Sequence, residues 1–359
     1  MPQKHLLHVF PTFAVGGSQM RFAQLARLHG ERYRHTVIAL DGKTDMMARL
    51  SGLPVTCQEL HFDKRKPLQT WRQFRAALYA IRPDVLFTYN WGAVEWALIN
   101  RLDGIAPHIH IEDGFGPEEA SRQLKRRIWA RRLALSGTNT TVVLPSRNLE
   151  RIALNIWALS PQRVRFISNG IDCPRFAVVA RGRSDGRIVI GTVASLRREK
   201  NIARLIQAFA QIASDRAPGT AELLIVGDGA ERQGLEQLAR ELNIASQVRF
   251  AGQSDRPEDW YPLMDIFALS SDTEQMPLSV LEAMAGGLPV VATAVGDVAQ
   301  MVAAENRDYV VPVQDFAAAL GRLAADVAAR RGIGLANEKK ARESFDENVM
   351  ATSYAALIG

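Results

Sequence analysis

SSDTEQMPLSVLEAMAGGLPVVAT, residues 270–293, is the stretch whose reading decides the fold. The apolar run DIFALS leads into it and reads as a buried strand. PLSVLEAMA, 277–285, has a helical pattern with Pro277 near its first turn. Gly286 and Gly287 stop that helix, and PVVAT reads as the next strand. Glu274 therefore stands in a loop at the C-terminal end of a strand, before a helix N-terminus, and Glu282 lies in the helix. In an open α/β sheet, ligands bind at those strand ends, and a helix N-terminus favours phosphate. Two carboxylates in such a crevice suit a ligand with two hydroxyl-bearing rings and a diphosphate between them, because each carboxylate accepts hydrogen bonds from vicinal hydroxyls. Taken alone, the same two residues also read as a loop charge and a solvated helix residue.

Outward from this stretch, strand and helix patterns alternate over the whole chain. In the first half HLLHVF (5–10), HTVIAL (35–40), LPVTCQEL (53–60), DVLFTY (84–89), PHIHIE (107–112) and TTVVLPS (140–146) read as strands. Helical patterns cover about 19–29, 68–81 and 92–102, and Ser146 is placed to cap another helix. In the second half RIVIGTVASL (187–196), ELLIVGDG (222–229) and QVRFAGQ (247–253) read as strands, and two helices close the chain at about 314–330 and 338–357. Such alternation predicts parallel sheets with helices on both faces, in two similar α/β units. VRFISNGID ends in an Asn-Gly turn, and the polar, Arg-rich RFAVVARGRSDGR reads as a linker, so the boundary falls near residue 172.

A chain of 359 residues, 47% apolar, can bury two cores. Its two cysteines, Cys57 and Cys173, lie far apart without metal-ligand spacing, which favours a reducing compartment and argues against a zinc site. The N-terminal apolar run is broken by Pro11 and is too short for a membrane span, so the sequence reads as a soluble cytoplasmic protein. Residues 1–165 carry 24 Lys and Arg against 13 Asp and Glu, a balance of +11; the remainder carries −5. A basic half favours an anionic partner or is simply a soluble basic surface. SRQLKRRIWARRLAL, 121–135, reads as a helix with Leu124, Ile128 and Leu135 on one face, Trp129 and Leu133 beside it, and five cations on the rest. It fits either peripheral contact with an anionic membrane, at its inner face, or a core helix with a solvated side. Lys64, Arg65 and Lys66 form a second basic cluster. No aromatic-basic interleaving points to nucleic acid.

The Glu274–Glu282 spacing, the small-residue helix, GGLPVVAT and Val295-Gly296-Asp297 together resemble the retaining glycosyltransferases of family 4, of GT-B fold. The resemblance extends over almost the whole chain, more loosely in its N-terminal half. It implies two Rossmann-like domains facing a central cleft: residues 1–172 with a C-terminal helix 340–359 crossing back, binding an acceptor, and residues 173–339 binding the donor. It implies a nucleotide-diphosphate sugar as donor, no cofactor and no metal, and a saccharide or lipid-linked acceptor of polysaccharide or glycolipid biosynthesis. By this resemblance Glu274 contacts the donor sugar, Glu282 the ribose, and the backbone amides of Gln275, Met276, Pro277 (which lacks the N–H) and Leu278 approach sugar and diphosphate. Lys200 matches the family's phosphate-binding lysine. Ser195 stands where the family has arginine, with Arg197 as the local substitute. Gly227 belongs to a Gly-Asp-Gly turn at a strand end, and Phe250, Ala251 and Gly252 correspond to the backbone that reads the base. In the first half, Gly16 and Gly17 match the family's Gly-Gly loop, with Gln19 in place of an acid. Asp113 stands where relatives carry histidine, so Asp113 or its neighbour Glu112 is the candidate base, or Asp113 is a turn residue before Gly114 and Gly116. The family's retention of configuration implies attack from the leaving-group face, the donor phosphate taking the acceptor proton. Two competitors are a GT-B epimerase, which converts the donor alone to a stereoisomer, and a catalytically silent subunit that binds a nucleotide sugar without releasing the sugar.

Overall fold

The computed structural model describes residues 3–60, 62, 65–115, 119, 123–177, 186–217 and 219–359. Lys64, Gly116, Ser121, Arg122 and the middle of the expected linker lie outside these. The chain divides into two units, one of Met1–Asn169 with Met350–Gly359, the other of Gly170–Val349.

Unit 1 runs β1 (Lys4–Phe10), α1 (Gly17–His29), β2 (Tyr33–Ala39), β3 (Val55–Cys57), α2 (Pro67–Ile81), β4 (Val85–Tyr89), α3 (Val94–Asp103), β5 (His108–Ile111), α4 (Lys125–Leu135), β6 (Thr140–Leu144), α5 (Arg147–Asn155) and β7 (Val164–Phe166). Its sheet is parallel, in the order β3-β2-β1-β4-β5-β6-β7. The central strands are buried along their length, which is why they read as apolar runs rather than alternating ones. Ser146 caps α5 by accepting a hydrogen bond from the Leu149 amide at 3.1 Å.

Unit 2 runs α6 (Cys173–Phe176), β8 (Ile188–Val193), α7 (Ile202–Ser214), β9 (Ala221–Val226), α8 (Arg232–Glu241), β10 (Val248–Gly252), β11 (Ile266–Leu269), α9 (Leu278–Ala285), β12 (Val290–Thr293), α10 (Val298–Met301), β13 (Val310–Val311), α11 (Phe316–Ala325) and α12 (Val327–Ser344). Its parallel sheet has the order β10-β9-β8-β11-β12-β13. Each sheet reverses its winding once, between β1 and β4 in unit 1 and between β8 and β11 in unit 2. Ligands of such sheets bind outside the C-terminal strand ends at that switch point. In unit 2 the loops leaving those two strands carry Ser195–Asn201 and Ser270–Pro277.

The C-terminal region differs from its sequence reading. Three helices replace the expected two, because Asp326 caps α12 through the Ala329 amide and so ends the run begun at Phe316. The last helix, α13 (Glu347–Ile358), starts afresh after Phe345. From Met350 onward it belongs to unit 1, where Met350, Ala351, Tyr354 and Ile358 join a core containing Phe10, Phe22 and Tyr89. The expected strand 53–60 is paired only over Val55–Cys57.

Candidate functional site

In unit 2, Glu274 and Lys200 meet: Lys200 Nζ donates to Glu274 Oε1 at 2.5 Å, and Ser271 Oγ donates to the same oxygen at 2.8 Å. Neighbouring bonds fix both loops. The Asp272 amide donates to the Glu199 carbonyl at 2.8 Å, and Ser270 Oγ to the Lys200 carbonyl at 3.1 Å. Arg204 donates to the Ser270 carbonyl and pairs with Asp272 at 2.7 Å. Asn201, in the left-handed region at φ 43°, caps α7 through the Arg204 amide and also donates to Asp272. The Lys200–Glu274 pair thus sits on a frame of backbone contacts rather than on two flexible side chains.

Behind Glu274 the loop rests on the turn of Val295–Asp297. The Gln275 carbonyl accepts from the Asp297 amide at 2.9 Å, and a Cβ on Gly296 (φ 53°) would lie 2.5 Å from the Glu274 and Gln275 carbonyl oxygens. Only glycine fits there, which accounts for the Val-Gly-Asp run. Met276 and Pro277 are buried, Pro277 is the N-cap of α9, and no side chain caps the helix. The amides of Leu278 and Ser279 lie in the first turn, where a helix cannot pair its N–H groups internally, whereas the Val280 amide donates to the Pro277 carbonyl at 3.2 Å.

Glu282, one turn further along α9, accepts a short hydrogen bond from the Tyr261 hydroxyl through Oε2. Burial raises its pKa above the ordinary carboxylate value, a shift the Tyr261 hydrogen bond partly offsets. Tyr261 is itself fully buried, edge-on to Phe176 at 5.7 Å, and burial beside Glu282 holds its hydroxyl protonated. One carboxylate oxygen is therefore fixed by Tyr261.

Arg197 departs from this cluster. Its side chain is 69% exposed, with Glu199 its nearest acid at 4.0 Å. Ser195 lies half-buried in the same loop, its carbonyl accepting from the Arg197 amide. Gly227, at φ 141°, makes a close approach to the protein's own chain: a Cβ would lie 1.8 Å from the Ala194 carbonyl oxygen. Its amide donates to the Gly252 carbonyl at 2.8 Å, so the Gly-Asp-Gly turn locks the loop of Ala194–Arg197 to the end of β10. Phe250 is half-buried against the core of unit 2.

In unit 1 the first loop is closed by Gln19, whose amide donates to the Thr12 carbonyl at 2.8 Å. A Cβ on Gly16 would lie 2.7 Å from Gln19 Oε1, whereas Gly17 faces open space. Asp113 is gripped by Arg21 through both oxygens, at 2.6 and 2.8 Å, while Asn90 receives the Asp113 amide and Asn169 a further Arg21 hydrogen bond. Arg21, 2% exposed, was not legible as a partner, since 92 residues separate the two. Glu112, the other candidate base, is fully buried, with Oε2 on Arg131 at 3.1 Å. The sequence reading of α4 is corrected in the same way. Arg131 is wholly buried, paired with Glu112 and Glu119 and set against the faces of Trp91, Phe115 and Trp157. Trp129 and Leu133, placed beside the apolar face by their spacing, point to solvent instead.

Two family models divide the chain between them. One, described as a glycosyl transferase 4-like domain, matches residues 16–170, and one described as glycosyl transferases group 1 matches 187–326. The chain belongs to the group 1 glycosyltransferases. Within that family it is 28% identical over 179 residues to an N-acetyl-alpha-D-glucosaminyl L-malate synthase of Bacillus anthracis, covering 49% of this chain and 46% of that one. It is 29% identical over 203 residues to a lipopolysaccharide core biosynthesis glycosyltransferase of Rhizobium meliloti, covering 55% and 58%. The chain spans about half the length of the curated relatives it matches. Among solved structures, Anabaena HepE in complex with UDP and glucose superposes with a TM-score of 0.80 at 18% identity over 98% of both chains. The group 1 glycosyltransferase therefore has the GT-B fold, built from two Rossmann-like units.

Proposed function

We propose that this protein transfers a sugar from a nucleotide-diphosphate sugar to an acceptor, with retention of configuration and without a metal. The observation that carries the proposal is the grouping in unit 2 of Lys200, Glu274, the uncapped start of α9 and the Tyr261-anchored Glu282 at one switch point. In this reading Lys200 and the amides at the start of α9 take the diphosphate, whose growing charge they stabilise as it departs. Glu282 takes the ribose hydroxyls with its remaining oxygen, Glu274 the donor sugar, and Phe250 to Gly252 the base. Arg197, extended into solvent, is assigned to the phosphates when the donor binds.

Glu274 is held by Lys200 and Ser271, which suits a hydrogen-bonding role rather than that of a nucleophile. Retention then follows from attack on the face the diphosphate leaves. The acceptor oxygen bonds to the anomeric carbon, the carbon–phosphate-oxygen bond breaks, and the acceptor proton passes to the departing phosphate. Unit 1 is assigned the acceptor, a saccharide or lipid-linked saccharide, near Gly16, Gly17 and Asp113. Asp113, clamped by Arg21, serves there as a fixed hydrogen-bond acceptor.

A thermal-shift screen of UDP-, GDP- and ADP-sugars tests this, because a ligand of the native state raises the melting temperature. At least one donor is expected to stabilise the protein, with affinity about tenfold weaker in Lys200→Ala and in Glu282→Ala. Glu274→Ala is expected to spare nucleotide binding and abolish sugar transfer. No stabilising nucleotide sugar, or unaltered affinity in both binding variants, overturns the assignment.

A further inference from the structure

We propose that Asn90 is a specificity-determining residue of the acceptor site, its side-chain amide shared between the Asp113 loop and one hydroxyl of the saccharide. The inference rests on the assignment of the acceptor to unit 1. Asn90 directly follows β4, one of the two strands at which that sheet reverses its winding. Its backbone stands at φ 55° and ψ −177°, a combination that only glycine takes freely. Arg82 and Asn201 also have positive φ, but with ψ of 62° and 51° they rest in the ordinary left-handed well. Glycine at position 90 would carry no strain, so what offsets the strain is the work of the side chain.

That side chain is half engaged. The Asn90 amide donates to the Ile111 carbonyl at 2.8 Å, and Asn90 Oδ1 accepts from the Asp113 amide at 2.8 Å. A backbone N–H can only donate, so the oxygen end of the side chain is turned to Asp113 and the NH2 end away from it. Nδ2 finds no partner among the described residues, and Asn90 is half-buried. A Cβ on Gly92 would lie 2.7 Å from the Pro11 side chain, so the turn after β4 is pressed against the chain leaving β1. The NH2 group thus belongs to the crevice at the strand ends, beside the start of the loop that carries Gly16 and Gly17.

Asp113 supplies the opposite chemistry. Arg21 holds both of its oxygens, yet the side chain is 22% exposed and keeps lone pairs to accept with. A donor and an acceptor tied together by one hydrogen bond read a group that both accepts and donates. A hydroxyl does both, an ether only accepts, an ammonium only donates, and a phosphate is repelled by the carboxylate. The hydroxyl read here is not the attacking one, whose proton passes to the departing phosphate. The acceptor is therefore a saccharide with a second free hydroxyl, which accepts from Asn90 and donates to Asp113.

Octyl glycosides of glucose, galactose, mannose and N-acetylglucosamine serve as acceptors, with the nucleotide sugar that stabilises the protein most. Release of the nucleoside diphosphate is the readout, and the best acceptor is compared with its monodeoxy and mono-O-methyl derivatives. One hydroxyl other than the reacting one is expected whose removal, or methylation, lowers kcat/KM about 100-fold. Asn90→Asp keeps an oxygen for the Asp113 amide and removes the donor. It should lower kcat/KM for the parent acceptor about tenfold and treat that deoxy acceptor as the wild type does. Asn90→Gly frees the backbone and loses both roles, so kcat/KM should fall about 100-fold while the melting temperature stays within about 2 °C of wild type. The donor-induced thermal shift is expected to be unchanged in both variants, because the donor residues lie in unit 2. With donor binding intact, transfer untouched by the variants overturns this inference alone. So does an equal loss of Asn90→Asp on parent and deoxy acceptors, a glycine variant melting several degrees lower, or a panel in which no glycoside accelerates donor turnover. Stabilisation by no nucleotide sugar overturns it together with the donor assignment.

Discussion

Replacing Tyr261 by phenylalanine isolates a single hydrogen bond. The ring, packed against Phe176 and Phe267, keeps its place, and only the hydroxyl that serves Glu282 is lost. Hydrogen bonds to charged groups are worth about 1.5–3 kcal/mol and neutral ones about 0.5–1.5 kcal/mol. Tyr261→Phe should therefore cost about 2 kcal/mol where Glu282 is ionised and about 1 kcal/mol where it is protonated. For a unit of this size, about 2 kcal/mol lowers the melting temperature by about 4–8 °C. The burial that already raises the Glu282 pKa is then opposed by less, so that pKa climbs further in the variant. The deficit must consequently widen as the pH rises through the Glu282 titration and narrow on its acid side. Urea unfolding across that range, with nucleoside-diphosphate affinity measured by calorimetry on the same samples, provides the assay. Affinity should drop about tenfold at neutral pH, since Glu282 loses the group that aims it. A variant with unchanged stability and unchanged affinity would show that the Tyr261 bond neither supports the unit nor orients the carboxylate.

Arg131→Met leaves Glu112 buried without its cation and Glu119 with Arg127 alone, and should cost about 3–5 kcal/mol in chemical denaturation, with part recovered when both acids are changed to glutamine. In unit 1, His8 and His35 share a hydrogen bond at 3.0 Å in the core, and burial lowers both, His35 to about 4. Because the unfolded chain takes up the proton near 6.5, the stability these groups provide is complete above that value and is lost as the pH falls towards 4. The loss should reach about 3 kcal/mol from His35 alone, and His35→Asn should flatten the profile. Gly227→Ala forces a Cβ onto the Ala194 carbonyl at a φ that side chains avoid, so it should cost about 3 kcal/mol or more and weaken donor binding with it, as calorimetry and melting would show.

The sheets were legible because their strands are buried on both faces and so appear as unbroken apolar runs between turn residues. The positions of Glu274 and Glu282 followed from the same logic, since a strand, a loop and a capless helix can be read locally. What local pattern could not show was the partner across the fold. Nothing near Tyr261 signals that its hydroxyl reaches Glu282, and nothing near Arg21 signals Asp113. The α4 error has the same origin. Periodicity places residues on faces, but five cations in one helix cannot be told apart until the acids at Glu112 and Glu119 show which of them is turned inward. Gly227 is ambiguous in sequence for a related reason: glycine reports that a backbone comes close without saying whose backbone it is, and here it is that of Ala194.

The seating of Met350, Ala351, Tyr354 and Ile358 in the first unit has a kinetic corollary. As the ribosome delivers the chain, that core stays short of four of its side chains until unit 2 has already emerged. Unit 2 can therefore reach its native state while the segment made before it still waits for its last helix, reversing the usual order in which early-made domains fold first. Pulse proteolysis of stalled nascent chains would see the later-made unit become resistant first.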